Sequence, residues 1–424
     1  MKNFIEELKW RGMLHDVMPG TEDLLNRQMV RGYIGFDPTA DSLGVGNMVQ
    51  IMTLLHFQQC GHQPIALIGG ATGMVGDPSG KSAERNLLGE DELRHNQECQ
   101  KKQLEKFLDF HSGNNSAQLV NNFDWFKEIR FLDFIRDVGK HISVNYMMAK
   151  DSVKSRLESG MSFTEFSYQL VQGYDFYYLW KNHGVVLQMG GSDQWGNIVT
   201  GTELIRRKDG GEAKALTTPL IKKSDGTKFG KTEGGNVWLD AKRTSPYKFY
   251  QFWLNASDTD VASYIRIFTL KSKDEIENLE TEHAKDPGQR ILQKSLAQDI
   301  TTRVHSMEDY QTAVSASDIL FGKSAEEDLR KISEQDLLDI FEGVPQGTIA
   351  KSEIETGLGI IETLVSPGFM PSNGEARRAL QENSISVNKS KVEMSRIITA
   401  SDLLNGRYIL LQRGKKNYFL LKAE

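Results

Sequence analysis

Cysteine is nearly absent from this chain: Cys60 and Cys99 are the only two in 424 residues. Two thiols cannot build the disulfide framework of a small secreted scaffold, and they lack the paired spacing of a structural zinc site. A reducing, cytoplasmic setting is the expectation. Long apolar runs are missing too. The longest nearly uncharged stretch, Pro64 to Gly76, is shorter than the roughly 18 residues a membrane span needs, and it contains four glycines. From Met1 to Trp10 charged and apolar residues alternate, unlike a signal peptide, so neither export nor membrane anchoring is expected. Repeats and low-complexity tracts are also absent. What is present is ordinary globular composition, 39% hydrophobic and 25% charged, which argues against disorder and fibrous architectures. The length suits two or three domains at roughly 150 residues each.

Charge is unevenly spread. The last 48 residues, from Arg377, hold ten Lys/Arg against four acids, a net +6, so the remainder carries −12 of the total −6. A basic module on an acidic body suits a polyanion such as nucleic acid, although a solvated basic surface has the same composition.

Apolar runs at Tyr33–Phe36, Pro64–Ile68 and Val185–Met189 read as buried strands, each followed by glycine, Asp or Ser and then a helical pattern, the order of a parallel α/β sheet. Met48–Cys60 and Ser162–Trp180 have helical period, the second opened by Ser162 and Glu165 in a capping-box arrangement. The chain turns helical throughout from Ser245 to about Ser315. Polar and turn residues over 321–349 indicate a linker. The tail reads as a helix, Asn373–Glu382, opened by a second capping-box pattern at Ser372 and Glu375, then strands at Ser384–Asn388, Tyr408–Gln412 and Tyr418–Leu421.

Two nucleotide motifs almost fit. Gly44-Val45-Gly46-Asn47-Met48-Val49 resembles a dinucleotide fingerprint, but Val49 replaces the third glycine and no ribose-binding acid occurs from Gln50 through Gly76. Gly76-Asp77-Pro78-Ser79-Gly80-Lys81-Ser82 is one residue short of a phosphate-wrapping loop. Even so, Lys81 and Arg85 place two cations just past a strand end, where open α/β sheets bind ligands.

Tyr168, Gln172 and Asp175 fall at i, i+4 and i+7, so one helix face carries a phenol, an amide and a carboxylate, while Phe163, Phe166, Leu170 and Tyr174 are expected to be its buried side. An ordinary solvated face has the same spacing. The Gly190-Gly191-Ser192-Asp193-Gln194-Trp195-Gly196-Asn197 stretch reads as a loop where backbone approaches a ligand and Asp193 accepts from ribose hydroxyls. Lys222 to Gly235 reads as a flexible lysine-bearing segment, fit either to close over a polyphosphate or to stand as a solvated turn.

Together Phe36-Asp37-Pro38-Thr39-Ala40-Asp41-Ser42-Leu43, Gly70-Ala71-Thr72-Gly73 with Gly76-Asp77-Pro78, the Gly190–Asn197 stretch, Lys228-Phe229-Gly230-Lys231-Thr232 and the basic tail resemble the bacterial-type tyrosyl-tRNA synthetases, in the same order and over essentially the whole length. The resemblance implies an α/β fold: a Rossmann-like parallel-sheet catalytic domain over 1–222, a lysine signature loop with a helical anticodon-side domain over 223–320, and a small α+β RNA-binding domain over 350–424. It implies an ATP-dependent ligase that activates L-tyrosine to tyrosyl-adenylate and transfers it to tRNA(Tyr), with magnesium arriving on ATP, no protein-held metal, and a homodimer whose interface lies at Phe131–Met148 and Phe163.

By the same resemblance, Tyr33 and Asp175 would bind the substrate hydroxyl. Asp77, Tyr168 and Gln172 would hold the ammonium group, and Gln188 and Gln194 would complete the tyrosine pocket. Asp37, Gly46, Asn47, Gly191 and Asp193 would hold the nucleotide. Thr39, Lys81, Arg85, Lys228, Lys231 and Thr232 would surround the phosphates. Arg377, Arg378, Arg413, Lys415 and Lys416 would grip tRNA, with Arg206 and Arg207 at its acceptor arm. One departure stands out. The family's His-Ile-Gly-His signature reads Gly44-Val45-Gly46-Asn47 here. Losing the first imidazole predicts impaired tyrosine activation; Lys81 standing in for it, or a synthetase-derived RNA-binding protein without catalysis, are the alternatives.

Overall fold

The computed structural model describes residues 2–77, 88–150, 153–154, 160–227, 229–232, 235–321, 326–342, 344–414 and 417–424. It divides into two compact units, one of Met1–Arg243 with Trp253–Val304 and the other of Thr244–Phe252 with His305–Glu424. Among the described residues no helix is long and apolar enough to cross a membrane.

The first unit is built on a five-stranded parallel sheet of β1 (Arg31–Phe36), β2 (Gln63–Ile68), β3 (Gln118–Asn121), β4 (Leu187–Gly191) and β5 (Lys214–Thr218), in the order β3-β2-β1-β4-β5. The order reverses between β1 and β4, which opens a crevice at their carboxyl ends. All six residues of β2 are buried, as a strand covered on both faces requires. The strand boundaries differ from the apolar pattern in places. The strand β1 begins at Arg31, whose backbone pairs with Gln63 beyond the apolar run. Gly190 and Gly191, expected in a loop, are the last rungs of β4, because their backbones pair with Thr217 and Thr218 of β5.

Three helices position the crevice: α1 (Met48–Gln59), α2 (Phe163–His183) and α3 (Trp195–Asp209). Ser162 caps α2 and Glu165 reaches back to the Ser162 N–H, completing the expected capping box. On α2 the expected buried side holds in part: Leu170 is buried, and Phe166 and Tyr174 pack on the core. Tyr168 and Asp175 are buried, whereas Phe163 is 67% exposed. The helix turns Tyr168, Gln172 and Asp175 toward the crevice.

In the second unit, residues 321–349, expected as a linker, hold α4 (Glu326–Arg330), α5 (Glu334–Ile340) and β6 (Gln346–Ile349). Their polar composition reflects two short helices, α5 capped by Ser333, and an edge strand. The helix α6 (Asn373–Gln381) is followed by β7 (Ile385–Val387), β8 (Ser390–Lys391), β9 (Tyr408–Arg413) and β10 (Asn417–Ala423); with β6 they form a sheet ordered β8-β7-β9-β10-β6. Ile385, Ile409, Leu411 and Leu421 bury one of its faces against Ala376, Ala379 and Leu380 of α6. Only half of the second capping box forms: Ser372 accepts from the Glu375 N–H, but the Glu375 carboxylate pairs with Arg413 at 2.9 Å.

In the first unit α2 and α3 cross through facing glycines. A Cβ on Gly201 would stand 2.8 Å from Phe176 Cβ, and one on Gly173 would stand 3.3 Å from Thr200 Cγ2. Overpacking costs about 1–3 kcal/mol and exceeds the helix-propensity gain of up to about 1 kcal/mol from alanine. Gly201→Ala is therefore expected to destabilise the protein by about 1–2 kcal/mol, read as a lower urea midpoint; an unchanged or higher midpoint refutes the close packing.

Candidate active site

A cavity of about 320 Å³ occupies the crevice. Its walls include Tyr33, Asp37, Thr39, Gly46, Asn47, Asp77, Tyr168, Gln172, Asp175, Gln188, Gly191, Asp193 and Gln194. Strand register explains one pair: Tyr33 of β1 lies opposite Gln188 of β4, and both side chains are buried. Helix periodicity explains another group, because Tyr168, Gln172 and Asp175 reach the cavity from successive turns of α2.

Asp175 is 1% exposed. Its Oδ1 accepts from Trp125 Nε1 at 2.9 Å and its Oδ2 from Asn122 Nδ2 at 3.0 Å. Burial pushes its carboxyl up to about 8, the two donors hold it down in part, and Asp37 pushes it up again. Tyr33 is pushed well above the ordinary phenol range by burial and then by Asp175. The Tyr33 hydroxyl and Gln188 Oε1 are both buried without a hydrogen-bond partner among the described residues. Buried polar atoms are normally paired, so these two mark where a polar ligand group would dock. Nearby, Gln194 Nε2 donates to Asp77 Oδ2 at 2.8 Å, and Tyr168 OH donates to Asp37 Oδ2 at 3.5 Å.

The loop bearing Gly44 is held by the segment that follows the lysine signature. The Val45 N–H donates to Val237 O and the Leu239 N–H to Leu43 O, each at 2.9 Å, and the Asp240 N–H donates to Ser42 Oγ at 3.1 Å. Gly230, with a left-handed φ of 79°, presses on the backbone of Gly46; a Cβ there would lie 3.1 Å from Gly46 N. Phe229 anchors the loop inside the fold, its ring stacked on Phe268 at 5.4 Å and flanked by Tyr264 and Trp253. Lys231 is exposed on a short ribbon, Lys231–Thr232 paired with Gly235–Asn236, and does not line the cavity. Lys81, Arg85 and Lys228, together with Lys415 and Lys416 of the tail, lie outside the described residues.

Several contributors are not among the residues the sequence singles out for a role, although Thr72 lies in the Gly70–Gly73 segment. Gln50 and Thr72 line the cavity, while Asn122 and Trp125 reach Asp175 from behind it. Gln50 follows Asn47 by less than one helical turn, a spacing that places it at the cavity once α1 is known to start there. Nothing in the local sequence marks Asn122 or Trp125.

Arg206 and Arg207 both pair with Glu203, and Arg207 also donates to His141 O at 3.1 Å. In the second unit Arg377 and Arg378 are exposed, whereas Arg413 is tied to Glu375. On the first unit Phe131, Leu132, Val144 and Phe163 form exposed apolar surface, from 58% to 76% exposed.

Residues 25–322 match the family model described as tRNA synthetases class I (W and Y), and residues 336–421 match that of the tyrosine–tRNA ligase C-terminal domain. The tyrosine–tRNA ligases of Cytophaga hutchinsonii and Bacteroides thetaiotaomicron are 62% and 61% identical to this chain, each over the whole of both proteins. Among solved structures, a C-terminally truncated mitochondrial tyrosyl-tRNA synthetase from Aspergillus nidulans is 32% identical, with a TM-score of 0.66, over 74% of this chain and 92% of its own.

The raised Asp175 carboxyl has a signed consequence. An unfolded chain releases this proton near the ordinary value of 3.8, whereas the folded chain keeps it up to about 8. Its stabilising contribution is full below about pH 4 and is lost as pH rises toward about 8. Asp175→Asn cannot titrate. The stability of the parent relative to this variant should therefore fall between pH 5 and pH 8, measured by urea midpoints; a constant difference refutes the shift.

Proposed function

This chain belongs to the class I tRNA synthetases as a tyrosine–tRNA ligase, and from that premise we propose how its own residues divide the work. Tyr33 donates to, and Asp175 accepts from, the substrate phenol. Phenylalanine would leave the buried Tyr33 hydroxyl unpaired and would give Asp175 no partner beyond Trp125 and Asn122, at a desolvation penalty. Asp77, Tyr168 and Gln172 hold the ammonium group, and Gln188 and Gln194 close the tyrosine side. Asp37, Gly46, Asn47, Gly191 and Asp193 hold the nucleotide, Asp193 through the ribose.

Lys81, Arg85, Lys228, Lys231 and Thr232, with Thr39 opposite, surround the pyrophosphate as it leaves, the cations offsetting its charge and the hydroxyls donating to it. Magnesium enters as the counter-ion of ATP and is part of that substrate. Catalysis is then positioning plus preorganised charge: the tyrosine carboxylate attacks the α-phosphorus, the bond to pyrophosphate breaks, and the adenylate later passes its tyrosyl group to the tRNA 3′ end. The observation that carries the reading is the convergence of Tyr33, Asp175 and Asp193 on one cavity. ATP–pyrophosphate exchange tests it: exchange with tyrosine, and none with phenylalanine or without amino acid, is expected.

The protein acts in the cytoplasm as a homodimer joined through Phe131–Met148 and Phe163, a reading supported by their exposed apolar side chains. Its second unit grips tRNA(Tyr) through Arg377 and Arg378, with Lys415 and Lys416, while Arg413 must leave Glu375 to contribute. Arg206 and Arg207 face the acceptor arm.

Gly44 makes the activation step slow. Its backbone is extended, φ −94° and ψ 168°, and a Cβ there would meet Val237 O at an ordinary 3.4 Å. Glycine is therefore not needed for the backbone, and a histidine side chain has a place to start. Asn47 supplies a partial substitute, since its Oδ1 accepts from the Gly44 N–H at 3.0 Å and leaves its amide donor free to turn to a phosphate. A synthetase-derived RNA-binding protein without catalysis would share Gly44, but the intact polar lining argues for retained chemistry.

Two outcomes follow from this reading. Gly44→His should raise single-turnover adenylate formation by on the order of 10²-fold, the worth of one preorganised donor; equal rates refute the impairment. Removing residues from 345 onward takes away the whole C-terminal sheet, including β6. Adenylate formation should persist while tyrosine transfer to tRNA falls at least about tenfold, since phosphate contacts dominate such binding; undiminished charging refutes the role of the second unit.

A further inference from the structure

The two ends of the cavity are joined by side chains that the substrate roles leave unused. Asn122 is fully buried. Its Oδ1 accepts from the Ala71 N–H at 2.7 Å, which sets the orientation of the amide. Nδ2 then donates to two acceptors, Asp175 Oδ2 at 3.0 Å and Thr72 Oγ1 at 3.1 Å. The Thr72 hydroxyl, with a lone pair taken by Asn122, donates its hydrogen to Asp37 Oδ1 at 3.1 Å. A chain of hydrogen bonds, donated both ways from the Asn122 amide, thus links the carboxylate at the phenol end to the carboxylate on the loop after β1, the loop that also carries Thr39 and Gly44.

The path has little slack. Thr72 is 3% exposed. The Thr72–Asp37 contact fits only because residue 69 is glycine: a Cβ there would fall 2.5 Å from Asp37 Oδ1. In a dry site, linked hydrogen bonds strengthen one another, and an unpaired member is costly.

We propose that Asn122 and Thr72 are positioning residues that couple recognition of the substrate hydroxyl at Asp175 to the placement of Asp37 against the nucleotide. The inference rests on the tyrosine and ATP assignments given above. A phenol on Asp175 holds that carboxylate at its Asn122 contact. The amide then keeps the Thr72 hydrogen on Asp37 Oδ1, and Oδ2 stays presented to the cavity beside Tyr168. A substrate lacking the hydroxyl leaves Asp175 unpinned and the path loose. Discrimination against phenylalanine would therefore be expressed twice, in amino-acid binding and in nucleotide binding.

The test uses the full chain, α,β-methylene-ATP as an unreactive nucleotide, and the amino alcohols tyrosinol and phenylalaninol, which have no carboxylate to activate. Calorimetric titration should show the nucleotide binding about fivefold tighter with saturating tyrosinol than with saturating phenylalaninol, at the lower end of ordinary coupling between sites. Thr72→Val should bring that ratio to one while keeping the direct preference for tyrosinol, and Thr72→Ser should restore it. A merely structural threonine would weaken nucleotide binding equally with both alcohols, and that intact ratio in Thr72→Val overturns the coupling. So does a ratio of one in the parent chain. If the parent binds tyrosinol no better than phenylalaninol, the tyrosine assignment itself fails, an outcome separable from failure of the relay.

Discussion

A carboxylate removed from water organises the first unit. Burying an ionised group without partners costs several kcal/mol, so Asp175 requires donors on both oxygens or retention of its proton. Trp125 and Asn122 provide the donors, and both come from the segment after β3, the edge strand of the sheet. Two stretches distant in sequence must therefore assemble before the group is tolerable: the turn after β3, which supplies both donors, and α2, which carries Asp175. The glycine contact between α2 and α3 sets how closely α2 can approach. The lining of the cavity and the integrity of the fold thus depend on the same atoms.

The nucleotide side is organised by backbone rather than by buried charge. The Gly44-bearing loop is stitched to the segment around Val237 and Leu239 by main-chain hydrogen bonds, and Phe229 sinks into an aromatic cage of Phe268, Tyr264 and Trp253. The base of the lysine-bearing loop is thereby fixed at Phe229 and Gly230. The same stitching explains why Gly44 can lack a side chain without disturbing the loop: its neighbours Leu43 and Val45, not its own Cβ, hold the position.

Much of this was legible in the residues. Strand cores, the Ser162 start of α2 and the order of the five family segments follow from periodicity, capping chemistry and motif spacing, which are local. Where local rules misled, tertiary contacts were the cause. The polar tract over 321–349 forms helices and an edge strand because β10 offers a partner to residues 346–349. Glu375 abandons its capping role because Arg413, far along the chain, offers a stronger charged partner. On α2 the expected buried side holds for Leu170, Phe166 and Tyr174, which join or pack on the core, but not for Phe163, which is exposed; the polar Tyr168 and Asp175 are buried as well, because they face the crevice.

Read alone, the sequence determined the fold class, the family and the chemical types available to the site, because these depend on periodicity and on motifs a few residues long. Tertiary structure decided which groups serve one another. That Asn122 and Trp125 complete Asp175, that Thr72 reaches Asp37, and that Gly230 rests on Gly46 are outcomes of strand order and close backbone approach. Hydrogen bonds act over about 3 Å, and only the folded chain brings residues 37, 72, 122 and 175 within that distance of one another.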